Sequence, residues 1–91
     1  MTTFSTELDG KIVVIVVKED LLNGKQEFMI KENGVWKETT PGKAFSVLRK
    51  ALEQGNTIEW VHDEYQLEGG DYVEMIEPIT SLEKLLEVWY V

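Results

Sequence analysis

The stretch that decides the fold is Lys11 to Val17, KIVVIVV. Six consecutive β-branched apolar residues, Ile12 to Val17, favour extended backbone and offer apolar side chains on both sides of the pleat. Such a strand belongs inside a sheet and asks for cover on each face.

Working outward, three dipeptides of the kind that fills two-residue type I′ turns flank this strand and its neighbours: Asp9-Gly10, Asn23-Gly24 and Asn33-Gly34. Both central positions of that turn need positive φ, which Asn, Asp and Gly tolerate. The expectation is a four-stranded antiparallel meander over approximately Thr3 to Leu8, Lys11 to Leu21, Gln26 to Glu32 and Val35 to Thr39. With tight turns, Leu8 pairs with Lys11, Phe4 with Ile15, Val17 with Ile30 and Lys31 with Trp36. One face then carries Phe4, Thr6, Leu8, Val13, Ile15, Val17, Phe28, Ile30 and Val35 and is the core face. The other carries Thr3, Ser5, Glu7, Ile12, Val14, Val16, Met29, Lys31 and Trp36. Its centre, Ile12, Val14, Val16, Met29 and Trp36, is apolar enough to mark a contact surface.

The following segment has helix punctuation: Thr40 as N-cap, Pro41 at the first helical position and Gly55 past the end. Ala44, Phe45, Leu48, Ala51 and Leu52 form its inner stripe, and Lys43, Arg49 and Lys50 make its outer side basic. Thr57 to Tyr65 and Tyr72 to Pro78 read as a second hairpin around Gly69-Gly70, in which His62 falls opposite Glu77, Glu64 opposite Met75 and Tyr65 opposite Glu74. Thr80-Ser81-Leu82-Glu83 reads as a capping box opening a last helix that runs to the chain end, with Leu82, Leu85, Leu86 and Trp89 inward. The architecture is α+β, in the order ββββ-α-ββ-α, one domain over residues 1–91 with both helices on one face of the sheet. Whether the second hairpin joins that sheet is left open by periodicity.

The charge is unevenly placed. The formal net charge is -8. Met1 to Gln54 holds eight acids and eight bases, whereas Gly55 to Val91 holds nine acids and one base, Lys84. That field repels nucleic-acid phosphates and attracts basic partners, so direct nucleic-acid binding is not expected. The chain has no cysteine, which leaves no disulfide frame, thiolate nucleophile or thiolate metal site. The N-terminal MTTFSTELDG lacks a basic stretch followed by an apolar run, and no apolar run approaches the ~20 residues of a membrane span. A cytoplasmic protein with no membrane association is expected.

Candidate chemistry is sparse. His62 is the only histidine; on a strand, Glu59 three residues away points to the opposite face, so the two do not make a metal pair. His62 and Glu77 form the candidate pH-sensitive pair, since a carboxylate favours the charged imidazole. Glu59, Asp63, Glu64, Glu68, Asp71, Glu74 and Glu77 form a candidate acidic surface without the spacing of a calcium loop. No P-loop, GxGxxG or strained nucleophile elbow is present, and no cofactor is implied. The functional expectation is a non-enzymatic protein-interaction module, with a protein partner or a second copy meeting the apolar meander face in a homodimer. The alternative is an acidic decoy or regulator that presents residues 57–78 to a basic protein surface in place of nucleic acid.

Overall fold

The meander forms because short turns join strands whose alternate residues share one apolar side. In the computed structural model, which describes residues 1–20, 22–65 and 68–89, β1 (Thr2–Leu8), β2 (Lys11–Asp20), β3 (Lys25–Glu32) and β4 (Val35–Thr39) run antiparallel in succession. Asp9 and Gly10 have φ of 53° and 78°, and Asn33 and Gly34 have 52° and 79°. These are the left-handed pairs a two-residue turn demands, and they fix Leu8 against Lys11, Phe4 against Ile15 and Lys31 against Trp36.

The middle turn departs from expectation. Asp20 pairs with Lys25, so four residues rather than two make the connection. Asp20 explains why: its Oδ1 accepts the Leu22 N–H at 3.0 Å and its Oδ2 accepts from Asn23 Nδ2 at 2.7 Å, while the Gly24 N–H closes on the Asp20 carbonyl at 2.8 Å. An Asp at this position offers the backbone a local alternative to two more rungs of ladder. Val17 therefore lies opposite Phe28, not Ile30. The slip is two residues, so every side chain keeps its face. Leu21, the expected end of this strand, lies outside the described residues.

After β4, α1 (Pro41–Glu53) crosses the core face. Thr40 Oγ1 accepts the Lys43 N–H at 3.2 Å. At the other end the Gly55 N–H reaches the Leu52 carbonyl and the Asn56 N–H the Ala51 carbonyl, both at 3.0 Å, with Gly55 at φ 83°. That is a Schellman closure, and it needs the left-handed residue that glycine supplies. The chain then enters β5 (Ile58–Tyr65), which returns as β6 (Tyr72–Ile79) and leads to α2 (Leu82–Val88).

The second hairpin joins the main sheet. β5 pairs with β1 through Thr3 and Val61, Phe4 and Trp60, Ser5 and Glu59, giving one six-stranded sheet in the order β4-β3-β2-β1-β5-β6. Polar clamps hold the junction: Asn56 Nδ2 donates to the Glu7 carbonyl at 2.6 Å, Gln54 Nε2 to Asp9 Oδ1 at 2.7 Å, the Asp9 N–H to Gln54 Oε1 at 3.0 Å and Thr6 Oγ1 to the Thr57 carbonyl at 3.1 Å. They fasten the end of α1 to the β1–β2 turn and so deliver β5 alongside β1.

The core lies between the helices and one face of this sheet. Phe4, Val13, Ile15, Val17, Phe28 and Ile30 are buried from the meander, Ala44, Leu48 and Ala51 from α1, Ile58 and Ile79 from the second hairpin, and Leu85 from α2. Trp89, just past α2, sets its ring 5.5 to 5.7 Å from those of Phe4, Phe28 and Phe45. Val35, assigned to the core face by register, is 60% exposed because β4 is the sheet's edge.

The last helix also differs from its sequence pattern. Ser81, not Thr80, is the N-cap, its Oγ accepting the Lys84 N–H at 3.2 Å. Glu83 thus sits in the first turn, where it suits the helix dipole but closes no capping box. The one-residue shift turns Leu85, Val88 and Trp89 inward and leaves Leu82 and Leu86 exposed. The helix stops at Val88, and Trp89 continues in extended backbone; Tyr90 and Val91 lie outside the described residues.

Candidate functional site

Both helices pack on one side of the sheet, so the pairing register alone says what the other side displays. One row crosses all six strands as Glu38, Met29, Val16, Thr3, Val61 and Ile76. The next runs as Trp36, Lys31, Val14, Ser5, Glu59 and Pro78. Val14, Val16 and Met29 are half-buried by their neighbours within the sheet, while Ile12 is 74%, Ile76 61% and Trp36 46% exposed. Lys31 lays its ammonium 5.7 Å from the centroid of the Trp36 ring, which lines the long stem along the sheet and keeps the charge at the rim.

The expected patch of Ile12, Val14, Val16, Met29 and Trp36 is therefore on one face. Val61 and Ile76 extend it, and the meander alone gave no sign of them. They become legible only when β5 is laid against β1 with Val61 beside Thr3.

The seven expected acids do not form one surface. Glu59, Asp63 and Glu74 share the open face, Glu64 and Glu77 point to the helix side, and Glu68 and Asp71 lie by the tip of the hairpin. Asp63 stands directly opposite Glu74, a like-charge rung that opposes sheet stability. The N-terminal ammonium is 3.8 Å from Asp63 Oδ2. Lys84, the single base of this part of the chain, belongs to the helix side.

Here too the hairpin register differs from expectation. Tyr65 pairs with Tyr72, which makes the connection six residues long, and His62 faces Met75, Glu64 faces Val73. Gln66 and Leu67 lie outside the described residues. The slip is again two residues, so Glu77 keeps the face of His62 and reaches it on the diagonal: His62 Nε2 and Glu77 Oε2 are 3.1 Å apart. The imidazole, 9% exposed, stacks on Trp60 at 3.7 Å between centroids and 16° between planes. Lys84 Nζ lies 5.7 Å from the Trp60 ring, and the buried Trp60 Nε1 has no hydrogen-bond partner. Next to this stack a cleft of about 420 Å³ is lined by Thr2, Val17, Glu19, His62, Asp63 and Tyr72, with Met1 at its side.

No family model, curated protein or solved structure matches this chain. Among the described residues no group of three His, Cys, Asp or Glu side chains is placed to hold a metal ion, and no helix is long and apolar enough to cross a membrane. The imidazole–carboxylate pair is braced by Trp60. What remains is a broad, flat, mixed surface: apolar through Met29, Val16, Val61 and Ile76, acidic at the β5–β6 end, with Lys31 and Trp36 at the other.

Proposed function

We propose that this chain is a non-enzymatic interaction module that binds a protein surface through the open face of its sheet. The observation that carries the reading is the face that no described element covers: a sheet with two helices on one side and, on the other, Met29, Val16, Val61 and Ile76 in one row interrupted by Thr3, with Val14 and Trp36 in the next. Contiguous apolar surface of a few hundred Å² with a polar rim is characteristic of contact sites, and each Å² removed from water contributes roughly 25 cal/mol before association costs. The test places a photoactivatable benzophenone residue at Trp36, on the open face, or at Glu53, on the exposed side of α1. Irradiation in cells that make the protein should give a cross-linked adduct from position 36 and none from 53. Adducts from 53 alone, or from neither, contradict the proposal.

A second reading is favoured by the Asp63–Glu74 rung. Two carboxylates held opposite each other on a rigid ladder, with Glu59 on the same face, imitate the spacing of charge along a phosphate backbone, and the second hairpin then occupies a basic protein surface in place of nucleic acid. This requires binding that weakens steeply with salt and disappears on combining Asp63→Lys with Glu74→Lys; salt-insensitive binding removes it.

A further inference from the structure

We infer that the occupant of the open face is the open face of a second copy of this chain, stacked so that the two-fold axis runs along the strands. The inference rests on the interaction reading above and supplies its partner and orientation.

Two symmetric arrangements lay one such sheet face on another. With the axis across the strands, every strand lies over itself. Glu59, Asp63 and Glu74 of one copy then meet the same three carboxylates of the other, on a half of the face that contributes no Lys or Arg. Excluding water from that many like charges opposes contact. With the axis along the strands, the order β4-β3-β2-β1-β5-β6 is read backwards by the partner: β2 lies over β1, β3 over β5 and β4 over β6. Each row then meets itself in reverse. Met29 comes over Val61, Val16 over Thr3 and, at the rim, Glu38 over Ile76; in the next row Lys31 comes over Glu59, Val14 over Ser5 and Trp36 over Pro78. Met29 meets Val61, the one lysine of the central rows meets a carboxylate, and each contact occurs twice.

The size also fits. Six strands spaced about 4.8 Å apart are about 29 Å wide, and strands of roughly eight residues at about 3.4 Å each are about 27 Å long, so the face offers about 700–800 Å². A standard stable interface buries about 800 Å² on each partner. Facing sheets pack with strand directions within about 30°, which keeps the central rows in register and lets the rim diverge.

The chain's lack of cysteine makes a direct test available. Met29 and Val61 lie in one row with β2 and β1 between β3 and β5, three strand spacings or about 14 Å apart, twice the roughly 7 Å beyond which a disulfide does not close. Met29→Cys combined with Val61→Cys should therefore give no bridge within a chain. Because facing sheets stand about 10 Å apart, the thiols are joined with a short-spacer bismethanethiosulfonate reagent, which should give a covalent dimer of the double variant, and neither single variant should give one. Lys31→Glu should weaken association roughly tenfold, and adding Glu59→Lys should restore it. A dimer from Met29→Cys alone, matching the double variant, overturns the orientation. Double-variant protein that stays at the single-chain mass under non-reducing conditions, or a charge reversal without rescue, overturns the second-copy inference. An adduct of different mass from the cross-linker at Trp36 would in that case still uphold the interaction reading, so the two failures are distinguishable.

Discussion

Val13 and Val14 are consecutive, chemically identical and on opposite faces of β2, which makes them a matched probe of which face is covered. Val13 is 4% exposed within the core cluster. Val14 is half-buried on the open face, between Ser5 and Lys31 on the neighbouring strands. Val13→Asp removes about 1.5–3 kcal/mol of apolar burial. It also leaves an unpaired carboxylate in the core, about 3–5 kcal/mol more. The sum approaches the whole stability of a chain this long, about 5–14 kcal/mol. Val14→Asp forfeits only part of a half-buried side chain and some β propensity, about 1–2 kcal/mol, and the new carboxylate gains Lys31 across the ladder, about 0.2–1 kcal/mol. A net loss near 1 kcal/mol lowers the melting temperature by about 4–8 °C in a domain of this size. Thermal and urea melts followed by far-ultraviolet circular dichroism, at protein concentrations too low for association to add stability, should show Val13→Asp largely unfolded and Val14→Asp folded with that small shift. If Val14→Asp melts as low as Val13→Asp, the second face is covered within the monomer and the reasoning fails.

Trp89→Ala removes the ring on which Phe4, Phe28 and Phe45 converge and should cost about 3–5 kcal/mol, a fall of roughly 15–25 °C in melting temperature; a shift below 5 °C would mean the ring contributes little. Glu74→Lys turns the like-charge rung with Asp63 into an opposite-charge one and should stabilise by about 0.5–1 kcal/mol at low salt, with the gain shrinking at ~1 M salt; a lower melting temperature would contradict the pairing. The Asn23 amide, and after it the Leu22 N–H, hold the Asp20 carboxyl below the ordinary carboxylate value. A folded pKa below the unfolded one of about 3.9 adds stability that is complete above that value and lost as pH falls through the folded one. The gap in melting temperature between the native chain and Asp20→Ala should therefore narrow as pH drops below about 4, and a gap that stays constant would speak against the turn's hydrogen bonds.

Much of the fold was legible because its signals are local. Asp9-Gly10 and Asn33-Gly34 demand positive φ at two successive residues, and Thr40, Pro41 and Gly55 each serve one end of α1, so composition and position coincide. Asn23-Gly24 misled because Asp20, three residues upstream, competes for the same backbone groups; that outcome depends on the balance of two local hydrogen-bonding schemes rather than on a dipeptide. The six-residue hairpin connection between Tyr65 and Tyr72 was obscured by Gly69-Gly70 for a related reason: glycines permit a tight turn without requiring one. In both hairpins the slip was even, which is why the face assignments and the His62–Glu77 contact survived a wrong register. The pairing of β5 with β1 was not legible. It is a long-range contact set by the reach of α1 and the Asn56, Gln54 and Thr6 clamps, and it is what brings Val61 and Ile76 into the apolar rows. The inner face of α2 was misjudged by one residue because Thr80 and Ser81 are both competent caps, and packing of Leu85 and Trp89 selects between them.

Two copies of this chain are proposed to meet at the open face of the sheet. Solution mass by light scattering, across protein concentrations and at about 0.1 and about 1 M salt, tests it most directly, since the screening length shrinks from about 10 to 3 Å over that range. A dimer held by the apolar side chains of that face has twice the chain mass of 10.5 kDa at both salts for the native sequence, and Val14→Asp should show the single-chain mass with its circular dichroism unchanged. A native chain that stays at 10.5 kDa at both salts and every concentration would contradict it.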